Sequence, residues 1–545
     1  MKYKVNAEFL WPLCLGIASF FLVAGKTIWP TDIAWIFANS DQATHFLGWQ
    51  FFRNSPWSWP PGASPNYGLE ISNSIFYSDS IPLLALIFKP LSPWLPNNFQ
   101  YIGIWYLLCF MMQAFFSWKL IGLITQQFLL RIVSIGFFVF SPPMIMRMHG
   151  HDSLVGHWLV VAALYLCLQP QKKSTAPTWQ WSVLAFISAL VHSYLLAMVL
   201  VLWLADLSKK ILCAKPKISV LLAECITVLG MTLLALWLSG FFMLDSGYTG
   251  IGFGKYSMNI LSPFHPQGWS FVLHDLPLGN LPDGYDDYEG FNFLGIGIII
   301  GIVLAIPHYK KVSSSIYGRK WAPLLLILFS LSVFAISNNI RCGNWSVTYG
   351  LPEKLLSIAQ VFRASGRMFW PVYYTVLWSV LYVLINGYSA RIVPILMILL
   401  VSLHIGDTYA GRRHLTITKK QTLDMPLHSD FWALAATRYK KIRLVPAGNA
   451  KQEWKVFSYY AASHGMATDA VYLARVDTDK LAKLRSESTS ILNNGGWASD
   501  TLYILENNYL TPALTYQPTH DLLARVDGFN VLAPRWKLFV EENNL

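Results

Sequence analysis

Eleven apolar segments separated by short Lys/Arg-rich turns constrain this chain more than any other feature, because apolar runs of that length belong in a bilayer rather than in water. They fall near 9–27, 100–124, 128–146, 153–168, 180–191, 194–207, 218–243, 291–307, 321–337, 369–387 and 392–409. Composition agrees: 54% of the 545 residues are hydrophobic, 13% are charged and the mean hydropathy is +0.41, values that exclude a soluble globular protein. Aromatics reach 15%, with 23 Trp, as expected of interfacial belts. Much of the formal charge of +12 sits in the short turns, where it orients the chain against anionic lipid, so it implies membrane lipids and no nucleic acid.

With the N-terminus inside, the inner turns hold Lys119 and Arg131, Lys172-Lys173, Lys209-Lys210 with Lys215 and Lys217, Lys310-Lys311 with Arg319-Lys320, and Arg391. That is a consistent positive-inside pattern. Lys2, Lys4 and the apolar run from Phe9 resemble a signal peptide, but no small-residue cleavage site follows, so the run is expected to stay as the first span. Segments 180–191 and 194–207 are short, and are expected as half-length helices meeting at His192-Ser193-Tyr194 inside the protein. Segment 80–95 carries Lys89, Pro90 and Pro93, with Pro96 just beyond; if it crossed, every later basic turn would move outside. A re-entrant or surface segment is expected there.

Three outer loops follow, 28–99, 244–290 and 338–368, with the turn 147–152 on the same side. The expected architecture is an α-helical polytopic membrane domain over 1–409 and a soluble α/β domain over 410–545 on the outer side, against which Arg412-Arg413 argue mildly. In the tail, Phe431–Lys441 looks helical before strand-like Ile442–Pro446. Trp454–His464 is the next helix, before extended Ala470–Val476, and Thr501–Leu505 is another strand. No Gly-rich phosphate loop or nucleophile elbow occurs in the tail, so it is expected to bind or brace rather than catalyse. The six Cys show no metal-ligand spacing, and five fall in or beside apolar segments, which argues against a disulfide framework.

The outer loops collect the distinctive polar residues. Loop one carries Asp32 and then D41-Q-A-T-H45-F-L-G-W49-Q-F-F-R53, where Asp41 and His45 share a helical face. Phe46, Phe51 and Phe52 suit a helix lying in the membrane interface. Asp41 can serve as a general base tuned by His45 or a metal ion, or simply cap the helix. Asp79, in Y77-S-D-S-I-P, can equally cap the segment that follows. The turn R147-M-H149-G-H151-D152-S-L-V-G-H157-W places three His and one Asp at a membrane boundary, where they must be paired, solvated or used. His149, His151 and Asp152 can bind a divalent cation such as Mg or Mn, hydrogen-bond a sugar or phosphate, or form a structural network. His192 and Tyr194 come from the same side. D283-G-Y-D286-D287-Y-E289 can hold a cation or be an exposed acidic loop. Arg363 and Arg367 lie outside against the charge bias; four apart, they can face one phosphate together, or anchor the chain at the interface.

Taken together, D41-Q-A-T-H-F-L-G-W-Q-F-F-R, Y77-S-D-S-I-P-L, H149-G-H-D-S-L-V-G-H-W, Y288-E-G-F-N-F-L-G and F362-R-A-S-G-R resemble a bacterial family of uncharacterised multi-pass proteins related to the GT-C-fold glycosyltransferases. The resemblance runs over all the apolar segments and extends to the tail. It implies a polyprenyl-phosphate sugar donor, a catalytic carboxylate in the first external loop and a site at the outer leaflet. By that likeness Asp41 matches the base, with Asp32 and Asp79 as alternatives, and Arg363 and Arg367 suit the donor phosphate. Loop one lacks the adjacent carboxylate pair and the D-x-D of metal-dependent relatives. The expectation is an inverting transferase acting on a glycan or lipid acceptor, in which His149, His151, Asp152, His192, Tyr194, Asp79 and Glu289 contact substrate. A flippase of a lipid-linked glycan and a non-catalytic assembly protein are the alternatives.

Overall fold

The computed structural model describes residues 7–71, 74–170, 179–243, 252–276, 288–310, 318–415, 417, 422–451, 453–473, 475–494, 496–515 and 519–543. Lys172-Lys173, Lys311 and the acidic run Asp283, Asp286 and Asp287 lie outside these residues. The chain is mostly helical and divides into two compact units. A helical unit comprises 1–29, 102–234 and 249–419; a mixed unit comprises 30–101, 235–248 and 420–545. Loop one thus packs in the same compact unit as the tail.

Among the described residues six helices are long and apolar enough to cross a membrane by length and composition, all in the helical unit except the end of the third from Ala235: Leu10–Ile28, Ile102–Ile121, Ile218–Ser239, Arg319–Ile336, Ser365–Gly387 and Ile392–Arg412. Four apolar helices are shorter: Phe128–Val139, Asp152–Leu168, Trp179–Val191 and Ile296–His308. At 1.5 Å per residue a 13-residue helix reaches about 20 Å, short of a hydrocarbon core of roughly 30 Å. The expected span 128–146 is broken after Val139, where Ser141 precedes Pro142-Pro143 and a separate turn, Pro142–Met146, begins.

The segment expected as half-length at 194–207 is instead a 21-residue helix, Ser193–Cys213. Polar residues past 205 prolong it because each is paired: Lys210 Nζ lies 3.0 Å from Asp206 and 2.7 Å from Glu224. Indole N–H groups of Trp181 and Trp203 donate to the same two carboxylates at 2.9 and 3.1 Å. His192 is the break itself, extended in backbone, with Nδ1 capping the Tyr194 N–H at 3.1 Å. A short hairpin of β1 (Asn339–Cys342) and β2 (Trp345–Thr348) completes the unit.

The mixed unit is built on a five-stranded sheet of β3 (Lys441–Val445), β4 (Ala467–Thr468), β5 (Thr501–Leu505), β6 (Leu522–Val526) and β7 (Phe529–Ala533), in the order β4-β3-β5-β7-β6. β4, β3 and β5 are parallel; β7 pairs antiparallel with β5 and β6. Helix 478–494 covers one face, where Leu492 packs with Val445, Tyr503, Leu505 and Leu532. Helices Asp430–Arg438 and Trp454–Ser463 cover the other through Trp432, Phe457 and Phe529. The described residues of 470–476 form no strand and give one bridge, Val471 to Asn449.

Loop one is part of this unit's core. Its helix Ser40–Asn54 is buried from Gln42 to Arg53, so Phe46, Phe51 and Phe52 pack inside protein rather than into an interface. Asn39 is the cap, its side chain accepting the Asp41 N–H at 2.8 Å, and Pro56 follows the extended Ser55 that ends the helix. Thr44 Oγ1 donates to the Tyr472 carbonyl at 2.7 Å, Lys455 Nζ to the Phe37 carbonyl at 3.2 Å. Gly68 N–H and Asn66 C=O bond Thr468 at 2.8 and 3.0 Å, extending the sheet past β4. Segment 80–95 forms a 7-residue helix, Pro82–Phe88, and a 3-10 stretch, Lys89–Trp94, neither long enough to cross. Arg53 caps that stretch by donating to the carbonyls of Ser92, Leu95, Pro96 and Asn97.

Candidate functional site

The strongest concentration of buried charge among the described residues lies in the helical unit around Glu289. Arg147, fully buried in the turn after Met146, donates Nη1 to Glu289 Oε2 at 2.7 Å and Nη2 to the Tyr288 carbonyl at 2.9 Å. Its guanidinium stacks over the rings of Tyr288 and Trp370, at 4.7 and 5.5 Å. Arg367, in the first turn of Ser365–Gly387, donates Nε to Glu289 Oε2 at 2.6 Å and Nη2 to Oε1. His151 Nε2 lies 3.3 Å from Glu289 Oε1 and 3.2 Å from Arg367 Nη2. Burial opposes ionisation of Glu289, but Arg367 and Arg147 outweigh it and hold the carboxyl well below its usual range.

Two guanidiniums thus share one carboxylate, so among the described residues the cluster carries one more guanidinium than carboxylate. Arg147 Nε is buried with no acceptor among the described residues. Arg363 adds a second cation: half-buried, it faces the Tyr256 ring at 6.0 Å and forms no ion pair among the described residues. The Arg363–Arg367 spacing does not place them on one helical face. Ala364 leaves helical geometry (φ −84°, ψ 67°) and the 3-10 turn starts at Ser365. Tyr194 stands beside both, its hydroxyl accepting the Ala364 N–H at 2.8 Å and its ring 4.9 Å from the Arg367 guanidinium. Backbone packing sets this geometry: a Cβ on Gly366 would stand 2.6 Å from Gly290 Cα, so the segment bearing Arg367 approaches that of Glu289 only because residue 366 lacks a side chain.

The structure therefore gathers Glu289, Arg367, His151 and Tyr194, with Arg363 nearby. It does not gather the expected metal trio. His149 is exposed, whereas Asp152 is fully buried and accepts from the Tyr106 hydroxyl, its carbonyl taking the Trp105 indole N–H at 2.8 Å. Among the described residues no three or more His, Cys, Asp or Glu converge as a metal site. Glu289 accepts three bonds from the two guanidiniums, with His151 Nε2 3.3 Å from Oε1. His192 serves as a helix cap.

Asp41, His45 and Asp79 lie in the mixed unit. Asp41 is half-buried in the first turn of its helix and His45 is buried one turn on. Asp79 has a left-handed backbone (φ 51°), and the cap position of Pro82–Phe88 is Ile81, with no side-chain cap. Asp32 caps a short turn through the Ala34 N–H at 3.3 Å. Sequence reasoning missed Arg147 as a site residue, though on the expected topology it runs against the charge bias, the same signal that marked Arg363 and Arg367.

One further feature adjoins the same elements. Helices 296–308, 319–336 and 365–387 enclose an apolar groove of about 860 Å³, lined by Ile302, Leu324, Leu328, Val372, Val376 and Val383 among others. These features define a helical protein with six helices fit to cross a membrane, a C-terminal region with sheet, and a buried cluster rich in cations. The chain belongs to the DUF6311 family, whose model, a domain of unknown function, matches residues 13–409; the DUF6311 C-terminal domain matches residues 431–534. No curated protein matches it.

Proposed function

We propose that this chain is a membrane glycosyltransferase of GT-C type that moves a sugar from a polyprenyl-phosphate donor to an envelope glycan or lipid acceptor. One observation carries the reading: a single helix, Ser365–Gly387, bears Arg367 at its start and lines the apolar groove from Val372 to Val383. The stretch from 367 to 383 rises about 24 Å at 1.5 Å per residue, so one element offers a guanidinium for a phosphate and a long apolar wall for an isoprenoid tail. Arg363 and the residual charge of the Arg147–Glu289–Arg367 cluster suit the phosphate group.

In the inverting reaction an acceptor hydroxyl gives its proton to a carboxylate base and attacks the anomeric carbon. The bond from that carbon to the donor oxygen breaks, and polyprenyl phosphate leaves with the electron pair. A preorganised cationic cluster stabilises the charge that develops on the leaving phosphate. Asp41, with His45 four residues on along the same helix, is the expected base, with Asp32 and Asp79 as alternatives. The proposed setting is the bacterial inner membrane, with about eleven spans, a cytoplasmic N-terminus and a periplasmic tail.

Transfer of labelled sugar from polyprenyl-phosphate donors by the purified protein in lipid tests this, wild type beside Arg363→Ala and Asp41→Asn. Wild-type turnover, a KM for donor raised about tenfold or more in Arg363→Ala, and turnover lost in Asp41→Asn with donor binding kept support the reading. No transfer from any donor in a broad panel, with lipid-linked glycan still bound, sinks it in favour of transport.

A further inference from the structure

We propose that the mixed unit carries a saccharide-binding crevice at the carboxyl ends of β3 and β5, independent of the transferase reading. The chain leaves β3 toward β4 on one side and returns to β5 on the other, with the covering helices on opposite faces. In parallel sheets such a reversal opens a crevice beyond the strand ends, where ligands bind. Here the cavity measures about 500 Å³, a size that suits a small ligand.

Its lining selects the chemistry. Three side-chain amides, Asn507, Asn508 and Asn530, project from the segments after β5 and along β7. Asn530 Nδ2 donates to Asn507 Oδ1 at 2.8 Å and to the Leu505 carbonyl at 3.1 Å, which fixes the floor. Lys451 and Glu506 pair at 2.8 Å across the mouth, and Glu453 and Arg525 add one charge of each sign. The lining is therefore neutral overall. A nucleotide or bare phosphate would find no net counter-charge and no glycine-rich loop, and a cation no excess of carboxylates. Amides and balanced charges instead match the mixed donors and acceptors of neighbouring hydroxyls, while the half-buried Phe529 ring offers a surface for an apolar sugar face. Ala450 and Glu453, in the loop after β3, both hold left-handed backbone (φ 56° and 60°), a conformation that recurs at binding sites.

The test uses full-length protein in lipid nanodiscs and saturation-transfer NMR with neutral hexose and N-acetylhexosamine oligosaccharides, without any sugar donor. Asn508 and Arg525 are exposed, so Asn508→Ala and Arg525→Ala leave the sheet intact. Saturable binding to wild type, weakened about tenfold or more in each variant, is the expected result. Absence of binding across the panel, equal binding in both variants, or displacement by inorganic pyrophosphate overturns the proposal. Because no donor is present, failure of transfer and failure of this crevice are read separately.

Discussion

Glu289 holds two guanidiniums that would otherwise repel one another in a largely buried space. Replacing it with Gln keeps the shape and strands both charges, at a cost of roughly 3–5 kcal/mol. Arg363 has no carboxylate partner among the described residues, so Arg363→Ala should leave stability within about 0.5 kcal/mol while weakening donor binding. Thermal unfolding of both variants in one detergent separates these outcomes; equal melting temperatures would remove Glu289 from its central place. The charge bias along the sequence pointed to Arg363 and Arg367 because an outer cation breaks an orientation rule. Arg147 carried the same signal, masked by the histidines around it. The helical spacing of 363 and 367 misled because Ala364 departs from helix, a choice imposed by Gly366 packing on Gly290.

At the scale of elements, the apolar runs announced most helices, and the failures have local causes. Pro142-Pro143 broke one span, and paired charges lengthened Ser193–Cys213 beyond its apolar stretch. The β6–β7 hairpin went unread although its turn is Asp527-Gly528, both at positive φ (47° and 85°), the pairing such turns favour. The approach of the 289–291 segment to Ser365–Gly387 rests on Gly366, whose new Cβ would meet backbone atoms that cannot swing aside. Gly366→Ala should therefore cost about 1–3 kcal/mol and reduce donor affinity by displacing Arg367. An alanine variant as stable as wild type would show that this approach is loose.

For the whole molecule, pairing between loop one and the tail had no local signature, since nothing near residue 40 names its partners beyond residue 450. Within the mixed unit, burial pushes the Asp469 carboxyl up to about 6, against the pull of Arg443 at 3.6 Å. The unfolded value is about 3.9, so the folded unit binds the extra proton between roughly pH 4 and 6. Its contribution is full below about pH 4 and is lost as pH rises through 6, a difference on the order of 3 kcal/mol at neutral pH. Asp469→Asn keeps an oxygen for the Leu444 N–H, bonded at 2.9 Å, and should raise the unit's stability at pH 7.5 with no gain near pH 4. Hydrogen exchange at β3 and β4 reads this directly, and a gain independent of pH would refute it.

The hydrogen bond from Thr44 to Tyr472 joins residues 428 positions apart. At about 5–20 residues per second, the ribosome takes roughly 20 to 90 seconds between making one and making the other. Through that interval the Ser40–Asn54 helix, buried from Gln42 to Arg53 in the folded unit, has been synthesised without its partners in the tail. A chain truncated before residue 454 therefore lacks the tail partners of that helix and keeps its contacts within residues 30–101, such as Trp49 on Tyr101 and Phe51 on Tyr67.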